Sequence, residues 1–224
     1  MASSRRTNKS GLFYSKEEER VNAWSHAAGI ALGVGAGLWL FSLLPQRAST
    51  ATVAGLVLYI IGMLLSYCMS VSYHSLRHRS HYRPLFRQLD HAAIYWHIAG
   101  SYSPIALTAL IGKGAWGWGL FAFIWTCATI GTIASFRKME QHSHIETACF
   151  LVMGFSVLAA FKPLIETVPL SMVWWLAAEG AAYSVGAAFY SVCSRRYMHS
   201  VFHIFVLLGS ICHIGALSVL YENL

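Results

Sequence analysis

The sequence predicts an all-α, polytopic membrane protein: a bundle of seven transmembrane helices with the amino terminus cytoplasmic and the carboxyl terminus outside. Of its 224 residues, 56% are apolar and only 11% charged, a balance foreign to soluble domains. Apolar stretches near the ~20 residues needed to cross a bilayer recur seven times along the chain. Basic residues gather in alternate connections, as they do on the cytoplasmic side of a membrane.

Residues 1–20, MASSRRTNKSGLFYSKEEER, are polar and read as a cytoplasmic tail that leads through an amphipathic or capped turn into the first span. They are not a signal peptide, because the following apolar run is too long and lacks a cleavage site. Residues 21–222 form the membrane domain, with spans at about 22–43, 52–74, 91–111, 115–135, 145–161, 169–193 and 199–221. In span one, Gly29, Gly33 and Gly37 form a small-residue face suited to close helix packing. In span three, Pro104 should kink the helix and free backbone carbonyls. Cysteines 68, 127, 149, 193 and 212 stand singly inside spans, with no CxxC spacing and no disulfide framework.

Orientation follows from charge. The tail holds Arg5, Arg6, Lys9, Lys16 and Arg20, and the second connection Arg77, Arg79, Arg83 and Arg87. The fourth holds Arg137 and Lys138, and the sixth Arg195 and Arg196. The remaining connections carry one basic residue each, Arg47, Lys113 and Lys162. The net charge of +7 therefore expresses topology and contact with anionic lipid, and no nucleic-acid partner is called for.

This topology gives each polar residue a depth. Span two runs inward and ends YCMSVSYH, with His74 at the cytoplasmic edge and Ser70 one turn deeper on the same face. Span three starts at that level with Asp90, and span seven with His199 and His203, an i, i+4 pair. Three spans thus deliver three histidines and a carboxylate to one layer. Taken singly, the pieces have plainer readings: HxxxH as interfacial histidines bonded to carbonyls or headgroups, Asp90 as a helix N-cap. Taken together, they match an open zinc site, with three neutral imidazoles at about 2.0–2.1 Å and a fourth position for water. Asp90 is then the carboxylate that orients the water and takes its proton, and Ser70 a donor to the water or to a developing oxyanion.

These same residues carry a family resemblance. The SxxxH of Ser70 and His74, the stretch LDHAAIYWHIAGSYSPIAL from Leu89, HSVFH at 199–203, and ERVNAWSHAAG with Asn22, Ser25 and His26 resemble the hemolysin III branch of the progestin and adipoQ receptor family. That family includes the adiponectin-receptor-like proteins and stands within a wider group of membrane hydrolases to which the alkaline ceramidases belong. The likeness runs from about residue 19 to 221. It implies a seven-helix bundle with an intracellular amino terminus and a zinc near the cytoplasmic face. His74, His199 and His203 would be the ligands and Asp90 would act through water. It implies a ceramidase-like cleavage of lipid amides, or a link to cell lysis and membrane-lipid homeostasis. The long amino-terminal domain of the hormone receptors is absent.

Other polar residues are less determined. His97 lies seven residues beyond Asp90, on nearly the same face and roughly 10 Å deeper. It either lines a cavity below the zinc or is a core histidine. His26 reads as supporting the site, and His213, too far along span seven to share the metal, as structural. Glu179 falls near the bilayer centre, where a carboxylate is functional by default; it contacts a substrate, carries protons, or sits protonated between helices. His78, His81, His142 and His144 fall in cytoplasmic connections and read as solvated surface. The leading function is a zinc-dependent integral-membrane hydrolase of a lipid amide or ester, acting from the plasma membrane if bacterial. The alternatives are a pore-forming hemolysin, channel or transporter with structural zinc, and a ligand-responsive receptor.

Overall fold

The computed structural model describes residues 7–8, 11–12, 14–137, 144–191 and 195–224. Helices lie over each of the seven expected stretches: α1 (Lys16–Leu43), α2 (Thr50–Ser75), α3 (Arg83–Pro104), α4 (Trp116–Ser135), α5 (His144–Phe155), α7 (Leu170–Ser191) and α8 (Met198–Glu222). A 3₁₀ turn at Ser156–Ala160 extends α5 into the short α6 (Phe161–Ile165). Thr7–Asn8 pairs with Gly11–Leu12 in a minimal antiparallel ladder. Among the described residues five helical rods are long and apolar enough to cross a membrane: α1, α2, α4, the composite Ile145–Ile165, and α8. The chain is a multi-pass integral membrane protein. The two long helices outside that set, α3 and α7, are the ones that carry Asp90, His91 and His97, and Glu179.

The first helix begins before its apolar run. Ser15 and Glu18 form a capping box, with Glu18 N–H donating to Ser15 Oγ at 3.2 Å and Ser15 N–H to Glu18 Oε2 at 3.0 Å. Helical geometry thereby reaches back to Lys16, and the acidic run Glu17–Glu19 becomes the first turn. The third helix also starts early. Pro84 occupies its opening turn, where a missing N–H is harmless, so Asp90 lies two turns inside the helix. The N-cap is Tyr82, which removes the capping role for Asp90. At the far end, the disturbance expected at Pro104 takes the form of a π turn, Ile105–Ala109, closed by Leu110 N–H donating to Ile105 O at 3.0 Å.

Glycines set the closest approaches. A Cβ on Gly29 would stand 2.7 Å from the Tyr67 ring and one on Gly33 2.8 Å from Leu64, so the expected glycine face is the α1–α2 seam. Gly62 lets α2 meet α3 backbone to backbone: its Cβ would fall 2.5 Å from Trp96 O. Tyr59, Tyr67, Leu56, Leu110, Met172 and Leu217 fill the interior, while Trp24, Leu38, Ile145, Val152 and Trp174 point outward, as a lipid-facing surface requires. Cys68, Cys127, Cys149 and Cys212 are free thiols; Cys193, Lys138 and His142 lie outside the described residues.

Candidate metal centre and cavity

Three imidazoles meet where the last turn of α2 faces the first turns of α8. His74, His199 and His203 are buried, at 3%, 8% and 2% exposure. One nitrogen from each lies within 4.8 Å of the others. His199 Nε2 stands 3.3 Å from His74 Nε2 and 3.0 Å from His203 Nε2. Tyr197, at φ 61°, turns the chain into α8 through a left-handed residue, and its N–H donates to Glu18 Oε1 at 2.9 Å.

The outer nitrogens determine what the inner ones can be. His74 Nδ1 lies 2.6 Å from Glu19 Oε2, and His203 Nδ1 lies 3.2 Å from the Asn22 carbonyl and 3.0 Å from Ser25 Oγ. An ionised carboxylate and a backbone carbonyl only accept, so both Nδ1 atoms carry the proton and both Nε2 atoms present lone pairs. A single N–H on His199 Nε2 can serve only one of them. At least one converging lone pair is left for a cation to satisfy. Nitrogens held at 2.0–2.1 Å from zinc at a tetrahedral angle are separated by about 3.3 Å, close to the spacings seen. The buried three-histidine group is therefore able to hold a metal ion.

The shell behind these ligands comes from α1. Glu19 reaches His74 with one oxygen; with the other it accepts from Arg83 Nη2 and meets His78 Nε2 at 3.1 Å. Arg83 Nη1 also donates to Leu76 O at 2.7 Å and Tyr73 O at 3.3 Å, closing the C-terminus of α2. His78, expected on the solvated surface, is half-buried in this network because the first turn of α1 reaches over the α2–α3 connection. Ser200 Oγ donates to Asn22 Oδ1 at 2.5 Å, locking α8 to α1. His26 stacks on His203 with centroids 3.7 Å apart, and Tyr14 stacks on His199 at 4.9 Å. Glu18 and Glu19 escaped the sequence reading as site residues. The available signal was three consecutive acids at the mouth of an apolar run, where one face of the turn must be buried.

A cavity of about 190 Å³ opens from this cluster into the bundle. Its lining includes His26, Ser70, Asp90, His97, Glu179, His199 and His203. Asp90 lies on the same cavity wall as Ser70 and His199, its side chain 13% exposed and its Oδ2 3.9 Å from His91 Nδ1. At the other end Glu179 Oε2 lies 2.8 Å from His213 Nδ1. His213, expected as structural, is thus the partner of the Glu179 carboxylate.

Apolar helical rods around a buried histidine cluster and an internal cavity define a multi-pass integral membrane protein with a candidate metal centre. The chain belongs to the family described as Haemolysin-III related, which it matches over residues 14–214, within the progestin and adipoQ receptor superfamily. It is 36% identical to Hemolysin-3 of Bacillus cereus over 194 residues, 87% of each chain. It is 29% identical to the human monocyte to macrophage differentiation factor over 209 residues, 89% of this chain and 83% of that one. A more distant relative is the ADIPOR-like receptor IZH2 of Saccharomyces cerevisiae, 26% identical over 94% of this chain and 74% of its own.

Proposed function

We propose that the protein is a zinc-dependent integral-membrane hydrolase of a lipid amide or ester, a ceramidase-like activity bearing on membrane-lipid homeostasis. Its seven helical rods all cross the bilayer, with the amino terminus cytoplasmic. The observation that carries the reading is the convergence of His74, His199 and His203, two of them with Nε2 lone pairs fixed inward by partners on α1. When bound there, zinc supplies a water whose pKa is lowered to about 7. Asp90, which lines the same cavity as His199 and His203, would take up a proton from the hydrolytic water and return it to the leaving group. Ser70 donates a hydrogen bond to the oxygen that gains charge. His26 braces His203 by stacking, and the acyl chain lies in the cavity past His97 toward Glu179.

Purified protein should hold about one zinc per chain, lost in His199→Ala and His203→Ala. Asp90→Asn should keep the zinc and lose lipid hydrolysis by at least about a hundredfold; full activity in that variant refutes the proton-transfer role. The name of the Bacillus cereus relative favours lysis, so the same preparation belongs in liposomes. Leakage that persists without zinc and without lipid product would replace hydrolysis with a pore.

A further inference from the structure

Two imidazole nitrogens deep in the cavity find no hydrogen-bond partner among the described residues. His213 on α8 is 2% exposed and His97 on α3 is 7% exposed; both line the cavity, and both Nε2 atoms are buried without a hydrogen-bond partner. Leaving such a group unsatisfied is costly, more so in a membrane interior. Glu179 Oε2 lies 2.8 Å from His213 Nδ1, which orients the ring and turns Nε2 to the cavity that the residue lines. Tyr59 packs against that ring at 4.8 Å between centroids and keeps it from turning.

We propose that His213, held by Glu179 on the cavity wall that His97 also lines, forms a second polar site that takes the hydroxyl group of an amphipathic lipid whose other end lies at the three-histidine layer. The chemistry selects a hydroxyl. It bonds His213 Nε2 in either state of the ring, donating to a lone pair or accepting from an N–H. A carboxylate or an ammonium would each have to leave water for the bilayer interior at greater cost. His213 follows His203 by ten residues, about 15 Å along the helix, so the lipid bears its hydroxyl well down the chain. The inference names the substrate class of the hydrolase proposed above and rests on it for the position of the other end alone.

The test is titration calorimetry in detergent on the zinc-loaded protein, with medium and long saturated fatty acids against their ω-hydroxy counterparts. For the chain length that spans the cavity, the hydroxy acid should bind about tenfold more tightly. Replacing the buried pair together, Glu179→Leu with His213→Phe, avoids stranding a carboxylate and should abolish the preference. His199→Ala should weaken both ligands equally and leave their ratio intact. If His199→Ala changes neither affinity while the double variant still abolishes the preference, the deep site stands and the placement of the carboxyl end fails. The absence of any preference in the native protein at every chain length overturns the proposal, as does a preference that survives the double variant.

Discussion

Replacing Glu19 by Gln tests the shell behind the candidate metal centre at its narrowest point. One carboxylate oxygen holds His74 Nδ1 at 2.6 Å, and the other accepts from Arg83 and His78. Glutamine has the same shape but offers one acceptor and one NH₂, so it can orient His74 only by turning a donor toward the Arg83 guanidinium. Losing a carboxylate behind a histidine ligand lowers metal affinity about 10- to 100-fold, or about 1.4–2.7 kcal/mol. Arg83, 8% exposed, also loses its anion, though its bonds to Leu76 O and Tyr73 O remain. The cost in folding stability is about 3 kcal/mol, the low end for a broken buried pair. Zinc affinity by chelator competition and unfolding of the metal-free protein in detergent separate the two effects. Arg83→Met is the control: it removes the cation, leaves the carboxylate on His74, and should lower stability while holding zinc affinity. A Glu19→Gln protein that binds zinc within about twofold of the native one would refute the positioning role.

Two further outcomes follow from the same geometry. Gly62→Ala places a Cβ 2.5 Å from Trp96 O, a backbone atom that cannot swing aside, and should cost about 1–3 kcal/mol of stability measured by thermal unfolding in detergent. Imidazoles ligate only when neutral, so zinc occupancy and the stability it adds should be full near pH 7.5 and fall as the pH drops toward about 5, read by metal content after dialysis.

Hydropathy made the helices legible but not their ends. The apolar run of span one begins near residue 22, whereas the helix begins at Lys16 because a capping box, not hydrophobicity, starts it. In span three the polar opening RPLFRQLDH looks like a connection, yet an N-terminal proline and burial against α2 make it helical from Arg83. Both early starts matter to the site. The first brings Glu18 and Glu19 against α2 and α8; the second sets Asp90 inside a helix, where its direction is fixed by the backbone rather than by a flexible cap.

The candidate ligands were legible because helical spacing and membrane depth are one-dimensional quantities. An i, i+4 pair and a shared leaflet can be counted along a chain. Their partners were not, because which face of α1 meets α2 and α8 depends on lateral packing, set here by Gly29 against Tyr67 and by Ser200 bonding Asn22. The same distinction explains the two long helices outside the set of candidate spans. Alone, α3 with Asp90 and His97 and α7 with Glu179 are poor candidates for a lipid environment. Together with α8 they turn those groups onto one internal cavity, where Glu179 finds His213 and Asp90 shares a wall with His199 and His203. Their polarity is tolerable only because the apolar rods α1, α2, α4 and α8 exist to surround it, so the residues that weaken the membrane signal of α3 and α7 are the ones that mark what the bundle encloses.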